Sequence, residues 1–133
     1  MNHDEILAVA RETLADEDSV EVTSSQEKGC ITILFQDRES GPSHAGRHAR
    51  LWTSGVEAFF LELDDLYDLK EFDWEPDGQR EIVRTLARLA LSYLRGAGVE
   101  VEMDARSWFG RRRRRRYLDV VLDGETHRFT RYA

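Results

Sequence analysis

The chain has 133 residues, 41% of them apolar, with three Trp, six Phe and four Tyr. That is the length of one domain, with enough apolar matter for one core, so wholesale disorder is excluded and no disulfide staples are needed. A formal net charge of −7 hides an asymmetry: residues 1–105 carry 23 acids and 10 bases, a net of −13, whereas residues 106–133 carry 3 acids and 9 bases, a net of +6.

The first element is a helix over residues 4–15, with Ile6, Leu7, Ala10 and Leu14 on one face and Asp4 and Glu5 in the first turn. From Ser19 the period becomes two. Val20 and Val22 alternate with Glu21 and Thr23, and the β-rich run from Cys30 to Phe35 follows, with Lys28-Gly29 closing a hairpin. Gly41-Pro42 marks a loop over residues 36–46. Residues 47–53 and 56–63 read as a second hairpin turning at Ser54-Gly55. Phe59, Leu61 and Leu63 share one face of its second strand, with Ala58 and Phe60 on the other, so a central strand covered on both faces is expected. Residues 66–74 suit a short strand or irregular segment leading to a turn at Pro76-Asp77-Gly78. A long helix over residues 78–96 carries the stripe Ile82, Leu86, Leu89, Ala90 and Tyr93, with Asp77 as N-cap and Gly96 and Gly98 at its end. Three strands close the chain: one around Val99 and Val101, then residues 117–122 and 126–132 about Asp123-Gly124.

The order gives one α+β domain over residues 1–133. It is a mostly antiparallel sheet built from hairpins, with an N-terminal helix and one long late helix packed on it. Cys30 has no disulfide partner, the N-terminus is acidic where a signal peptide is basic, and no apolar run approaches a membrane span. A cytoplasmic location, away from membranes, is expected.

Two constellations stand out. The acidic stretch over residues 62–77 holds Asp64, Asp65, Asp68, Glu71, Asp73 and Glu75 against the single Lys70, with Tyr67, Phe72 and Trp74 interleaved. Read plainly, it is a solvated loop anchored by its aromatics. Read functionally, Asp64, Asp65, Asp68, Glu71, Asp73, Trp74 and Glu75 form a surface for a basic partner, carboxylates steering approach and aromatics supplying contact. A cation loop is argued against by the missing Asp-x-Asp-x-Asp-Gly pattern. The second constellation is the run Arg111, Arg112, Arg113, Arg114, Arg115 and Arg116, after Trp108-Phe109-Gly110. Its plain reading is a solvated turn or edge strand that resists pairing. Its functional reading is a contact to phosphate or to an acidic partner. The acidic remainder of the chain argues against a nucleic acid.

The other chemistry-bearing residues form no motif. His44 and His48 are four apart, but in a polar loop with no further ligand, so no metal site is expected. Cys30 reads as a buried, inert thiol without a neighbouring base. No nucleophile elbow and no glycine-rich phosphate loop is present, and no cofactor is expected.

A small, acidic, motif-free α+β domain of this layout resembles the immunity proteins of bacterial polymorphic toxin systems. The resemblance is carried by the hairpins around Ser54-Gly55-Val56-Glu57-Ala58-Phe59-Phe60, the acidic segment ending Asp73-Trp74-Glu75, and the late helix ending at Gly96. It implies an inhibitor without enzymatic activity that binds a cognate toxin and occludes its active site. A basic nuclease-type toxin domain would suit the acidic surface. The arginine run departs from that picture. A nucleic-acid-associated or regulatory module using that run, and a small enzyme whose site is dispersed along the chain, remain the alternatives.

Overall fold

The computed structural model describes residues 1–38, 46–54, 57–106, 110 and 112–133. Helix α1 (His3–Thr13) starts at Asn2, whose side chain accepts the Glu5 N–H at 2.9 Å. This is the oxygen-to-backbone bond that satisfies an orphan donor at a helix start. It buries Ile6, Val9 and Ala10, so Val9 replaces the expected Leu7 on the inner face.

Eight strands then build one sheet: β1 (Val20–Glu27), β2 (Cys30–Asp37), β3 (His48–Thr53), β4 (Ala58–Leu63), β5 (Tyr67–Phe72), β6 (Val99–Arg106), β7 (Arg112–Leu122) and β8 (Glu125–Arg131). Helix α2 (Pro76–Leu94) lies between β5 and β6 in sequence. The spatial order is β1-β2-β3-β4-β5-β8-β7-β6, every pair antiparallel. The first five strands follow one another as a meander. Helix α2 then carries the chain to the far edge, and β7 and β8 return towards β5. This is the expected α+β architecture.

The expected hairpin turns form as two-residue reversals. Lys28-Gly29 has φ of 51° and 78°, and Asp123-Gly124 has φ of 51° and 79°. Both positions lie in the left-handed region that such a turn demands. Part of the loop over residues 36–46 and Gly55 of the second turn lie outside the described residues.

Both helices cover the same sheet face. Ile33, Phe35, Ala49, Leu51, Phe59, Leu61 and Leu63 from the meander meet Val83, Leu86, Leu89 and Ala90 of α2 in the core, and Leu118, Val120 and Phe129 extend it. Each fully buried Leu or Phe contributes about 1.5–3 kcal/mol of apolar burial. The opposite face carries no layer of helices. The expectation that β4 is covered on both sides is therefore corrected. Phe60 is half-buried because it stacks on Trp52 at 4.1 Å and 7°, with the Lys70 ammonium 5.7 Å from its centroid. Cys30, expected to be buried, is only half-buried.

Two further boundaries differ. Helix α2 begins two residues earlier than expected, with Pro76 at its start, where a missing N–H costs nothing. Its N-cap is Glu75 rather than Asp77, and Glu75 makes no side-chain cap bond. Strand β7 begins at Arg112, so most of the arginine run is strand rather than turn: it pairs with the edge strand β6 on one side, while β8 pairs with β7 only from Tyr117 onwards. Among the described residues no helix is long and apolar enough to cross a membrane.

Candidate functional site

The acidic stretch does not form one surface. Its residues run along β5, whose six residues span roughly 20 Å at about 3.3 Å each. At one end, Asp64 and Asp65 form the β4–β5 turn, both at positive φ (53° and 55°), a conformation that Asp tolerates better than most residues. Their carboxylates are engaged inside the molecule. Asp64 accepts the His48 N–H at 2.8 Å and the Tyr93 hydroxyl proton. Asp65 meets the Arg50 guanidinium at 2.8 Å and the His48 ring at 3.2 Å. Burial, and then the bond to Asp64, push the Tyr93 hydroxyl well above its ordinary range.

The centre of this network is Glu62 on the uncovered sheet face. It accepts from Arg50 Nε at 3.1 Å and from Trp52 Nε1 at 2.9 Å. The Arg50 guanidinium is pushed up mainly by its hydrogen bond to Glu62. Across the ladder, Asp68 stands opposite Glu62 on β4 and opposite Thr130 on β8. Burial first, and Glu62 second, push its carboxyl above the usual carboxylate range. Asp64, Asp65 and Asp68 thus serve a turn, an ion-pair network and a strand junction.

The other end of the stretch is built differently. Strand β8 pairs with β5 only at Tyr67 with Arg131 and Asp68 with Thr130. Beyond Asp68 the two strands diverge, and a cleft of about 400 Å³ opens between them under the start of α2. Glu71 and Asp73 come from the end of β5, Glu81 from α2, and Asp123 and Glu125 from the β7–β8 turn and the start of β8. Arg88 is the one Arg or Lys of this lining, and it is already paired with Asp123 at 2.6 Å. His127 completes the polar wall, while Ile82 and Leu122 floor the cleft against the core.

Asp73 is held in place by local geometry. One of its carboxylate oxygens accepts the Glu75 N–H at 2.8 Å, and its carbonyl accepts from the buried Gln79 amide at 3.0 Å. It therefore supplies at the head of α2 the side-chain bond that Glu75 does not. Gly78 makes room for it, since a Cβ there would overlap the Asp73 carboxylate. At the end of β5, on the uncovered sheet face, Phe72 meets Trp74 edge to face at 4.8 Å, and the two remain 47% and 69% exposed. An exposed aromatic pair with carboxylates as its sequence neighbours has the composition of a protein-contact surface.

Of the expected site residues, Glu71 and Asp73 line the cleft, Trp74 and Glu75 follow them in sequence at the start of α2, and Asp64, Asp65 and Asp68 lie elsewhere. Glu81, Asp123 and Glu125 were missed, because they reach the cleft from segments far apart in sequence. Glu81 already pairs with Arg84 at 2.7 Å along the helix. Among the described residues no group of three or more His, Cys, Asp or Glu is arranged to hold a metal ion.

The arginine run splits by strand alternation. Arg116 pairs with Glu102 at 3.1 Å, and Arg114 reaches the same carboxylate at 4.0 Å. Arg115 stands opposite Met103. Trp108, Phe109 and Arg111 lie outside the described residues, as does His44, and the side chains of Arg112 and Arg113 are not among those described. Comparison with protein-family models, with curated proteins and with solved structures returned no match.

Proposed function

We propose that this chain is a protein inhibitor that binds and neutralises a toxin, and that its contact surface is the acidic corner around Glu71, Asp73, Trp74 and Glu75. The observation that carries the reading is the convergence of five carboxylates, from three segments of the chain, on one cleft, with an exposed Phe–Trp pair next to Glu71 and Asp73 in sequence. That surface suits a basic protein partner such as a nuclease-type domain. Long-range attraction would speed association, and the aromatics would supply the desolvated contact that slows release. The reading needs neither a cofactor nor catalysis by this chain. A cytoplasmic site of action follows from the proposal, since such an inhibitor protects the cell that makes it.

The test is capture from lysate of the native host, with the wild-type chain and a Glu71→Ala/Asp73→Ala/Trp74→Ala variant as baits. One stoichiometric protein carrying a toxin domain should be retained at low salt by the wild type. Its association with the variant should be at least tenfold slower and less sensitive to salt. Equal retention by the variant would remove this surface from the interface. Recovery of nucleic acid alone would move the function to the arginine run.

A further inference from the structure

A second binding feature lies at the opposite end of β8, where that strand stops. The β7–β8 register ends with Tyr117 opposite Thr130. Strand β7 continues past this point through its arginines, paired with β6 on one side. On the other side, among the described residues, no strand accompanies it. Past Arg131 the chain stays beside the start of β5, as the Tyr132 N–H donates to the Leu66 carbonyl at 2.9 Å. A notch of about 420 Å³ remains, lined by Arg114, Arg115, Arg116, Thr130 and Arg131.

The identity of these residues locates the notch. Successive side chains of a strand point to opposite faces of the sheet. Three consecutive residues, 114 to 116, line one space only if that space runs along the strand's edge. The notch therefore runs along an edge of β7, in line with β8, that no strand pairs with among the described residues. Such an edge takes up another extended segment by main-chain hydrogen bonds. Its charge selects which segment. Four of its five lining residues are arginines and none is acidic. Arg114 and Arg116 share the single carboxylate of Glu102, and Arg115 has no carboxylate partner among the described residues.

We propose that the edge of β7 at residues 114–116 is a strand-addition site for an acidic extended segment of a protein partner. Carboxylates at alternate positions of the added strand meet Arg114 and Arg116 on one face, and those between them meet Arg115 on the other. Arg131, whose guanidinium lies 6.0 Å from the Tyr67 ring centroid, stands at the notch's end. The site is separate from the acidic cleft and does not depend on the inhibitor reading.

The experiment uses the full chain and a fluorescein-labelled (Glu-Val)4 peptide at low salt, read by anisotropy and by amide hydrogen exchange. Binding is expected, with slowed exchange at residues 114–116 and at least tenfold weaker affinity for an Arg114→Gln/Arg115→Gln variant whose circular dichroism is unchanged. A (Glu-Pro)4 peptide keeps the charge but lacks alternate N–H donors, and it should bind at least tenfold more weakly. Equal binding of the two peptides overturns strand addition and leaves only charge attraction. No binding of (Glu-Val)4 at millimolar concentration overturns the site altogether. Tighter binding of a single-stranded oligouridylate than of the peptide overturns the choice of a protein partner. Self-association of the free chain, with residues 114–116 already protected, overturns it in favour of a second copy. None of these outcomes bears on the Glu71–Asp73 surface, so the two proposals fail independently.

Discussion

The acidic cleft and the arginine notch are opposite in charge, yet both are made by the same strand. Near its start β8 parts from β5, and the gap fills with carboxylates from β5, α2 and the β7–β8 turn. At its end β8 stops short along β7 and leaves an edge dressed in guanidinium groups. A strand of seven residues separates them by about 20 Å, twice the Debye length of roughly 8–10 Å in physiological salt. Each region therefore presents its own sign to a partner, and the net charge of −7 describes neither. What the pair teaches is that incomplete pairing of one strand produces two surfaces. The charges at one are collected from distant segments, and those at the other come from a single run.

The largest expected effect comes from removing the anchor the two regions share. Phe129 is the fully buried residue of β8 and sits in the core with Leu118 opposite it on β7. Phe129→Ala should cost about 3–5 kcal/mol in urea unfolding, because it removes an aromatic ring from a space that collapses only in part. It should weaken both the cleft and the notch together. A loss below about 1 kcal/mol would show that the two regions are held independently of β8.

A smaller effect sharpens the cleft alone. Gly78→Ala improves helix propensity by up to about 1 kcal/mol, but its Cβ displaces the Asp73 carboxylate and breaks the bond to the Glu75 N–H, worth about 1 kcal/mol. Stability should stay within about 1 kcal/mol of wild type, while association with a basic partner slows severalfold and peptide binding at the notch is untouched. Unchanged association would mean that the position of Asp73 is immaterial to the surface.

The smallest effect tests the junction between the regions, where Asp68 faces Thr130. Because burial and Glu62 raise the Asp68 carboxyl, its ionised form costs stability above its folded pKa. That cost fades as the pH falls through the folded value towards the unfolded one. Asp68→Asn, neutral throughout, should therefore raise the urea midpoint modestly at pH 7, with the advantage shrinking at pH 3. An equal advantage at both pH values would assign the gain to something other than charge.

Much of the secondary structure was legible residue by residue. The Lys28-Gly29 and Asp123-Gly124 turns, the period-two runs of β2 and β4, and the apolar stripe of α2 are short-range patterns, and each appeared where expected. The arginine run was equally visible, though its place in a strand paired with β6 was not. Its β-sheet partner, with Glu100, Glu102 and Asp104, is fixed only by the β6–β7 register. The acidic stretch was visible as composition, but its division between two places in the fold was not. Asp64 and Asp65 were read as partner contacts, yet Arg50, His48 and Tyr93, all from other elements, occupy their carboxylates.

By itself the sequence determined the α+β class, the hairpins, the long helix and the separation of charge between the body and the C-terminal quarter. These follow from periodicity, turn chemistry and composition, which act over a few residues. Only the tertiary structure decided that one sheet face is left without helices, that β8 joins β5 at two residue pairs, and that Glu81, Asp123 and Glu125 gather beside Glu71 and Asp73. Those outcomes depend on the α2 crossover and on where packing lets two strands meet, and neither leaves a local mark in the chain.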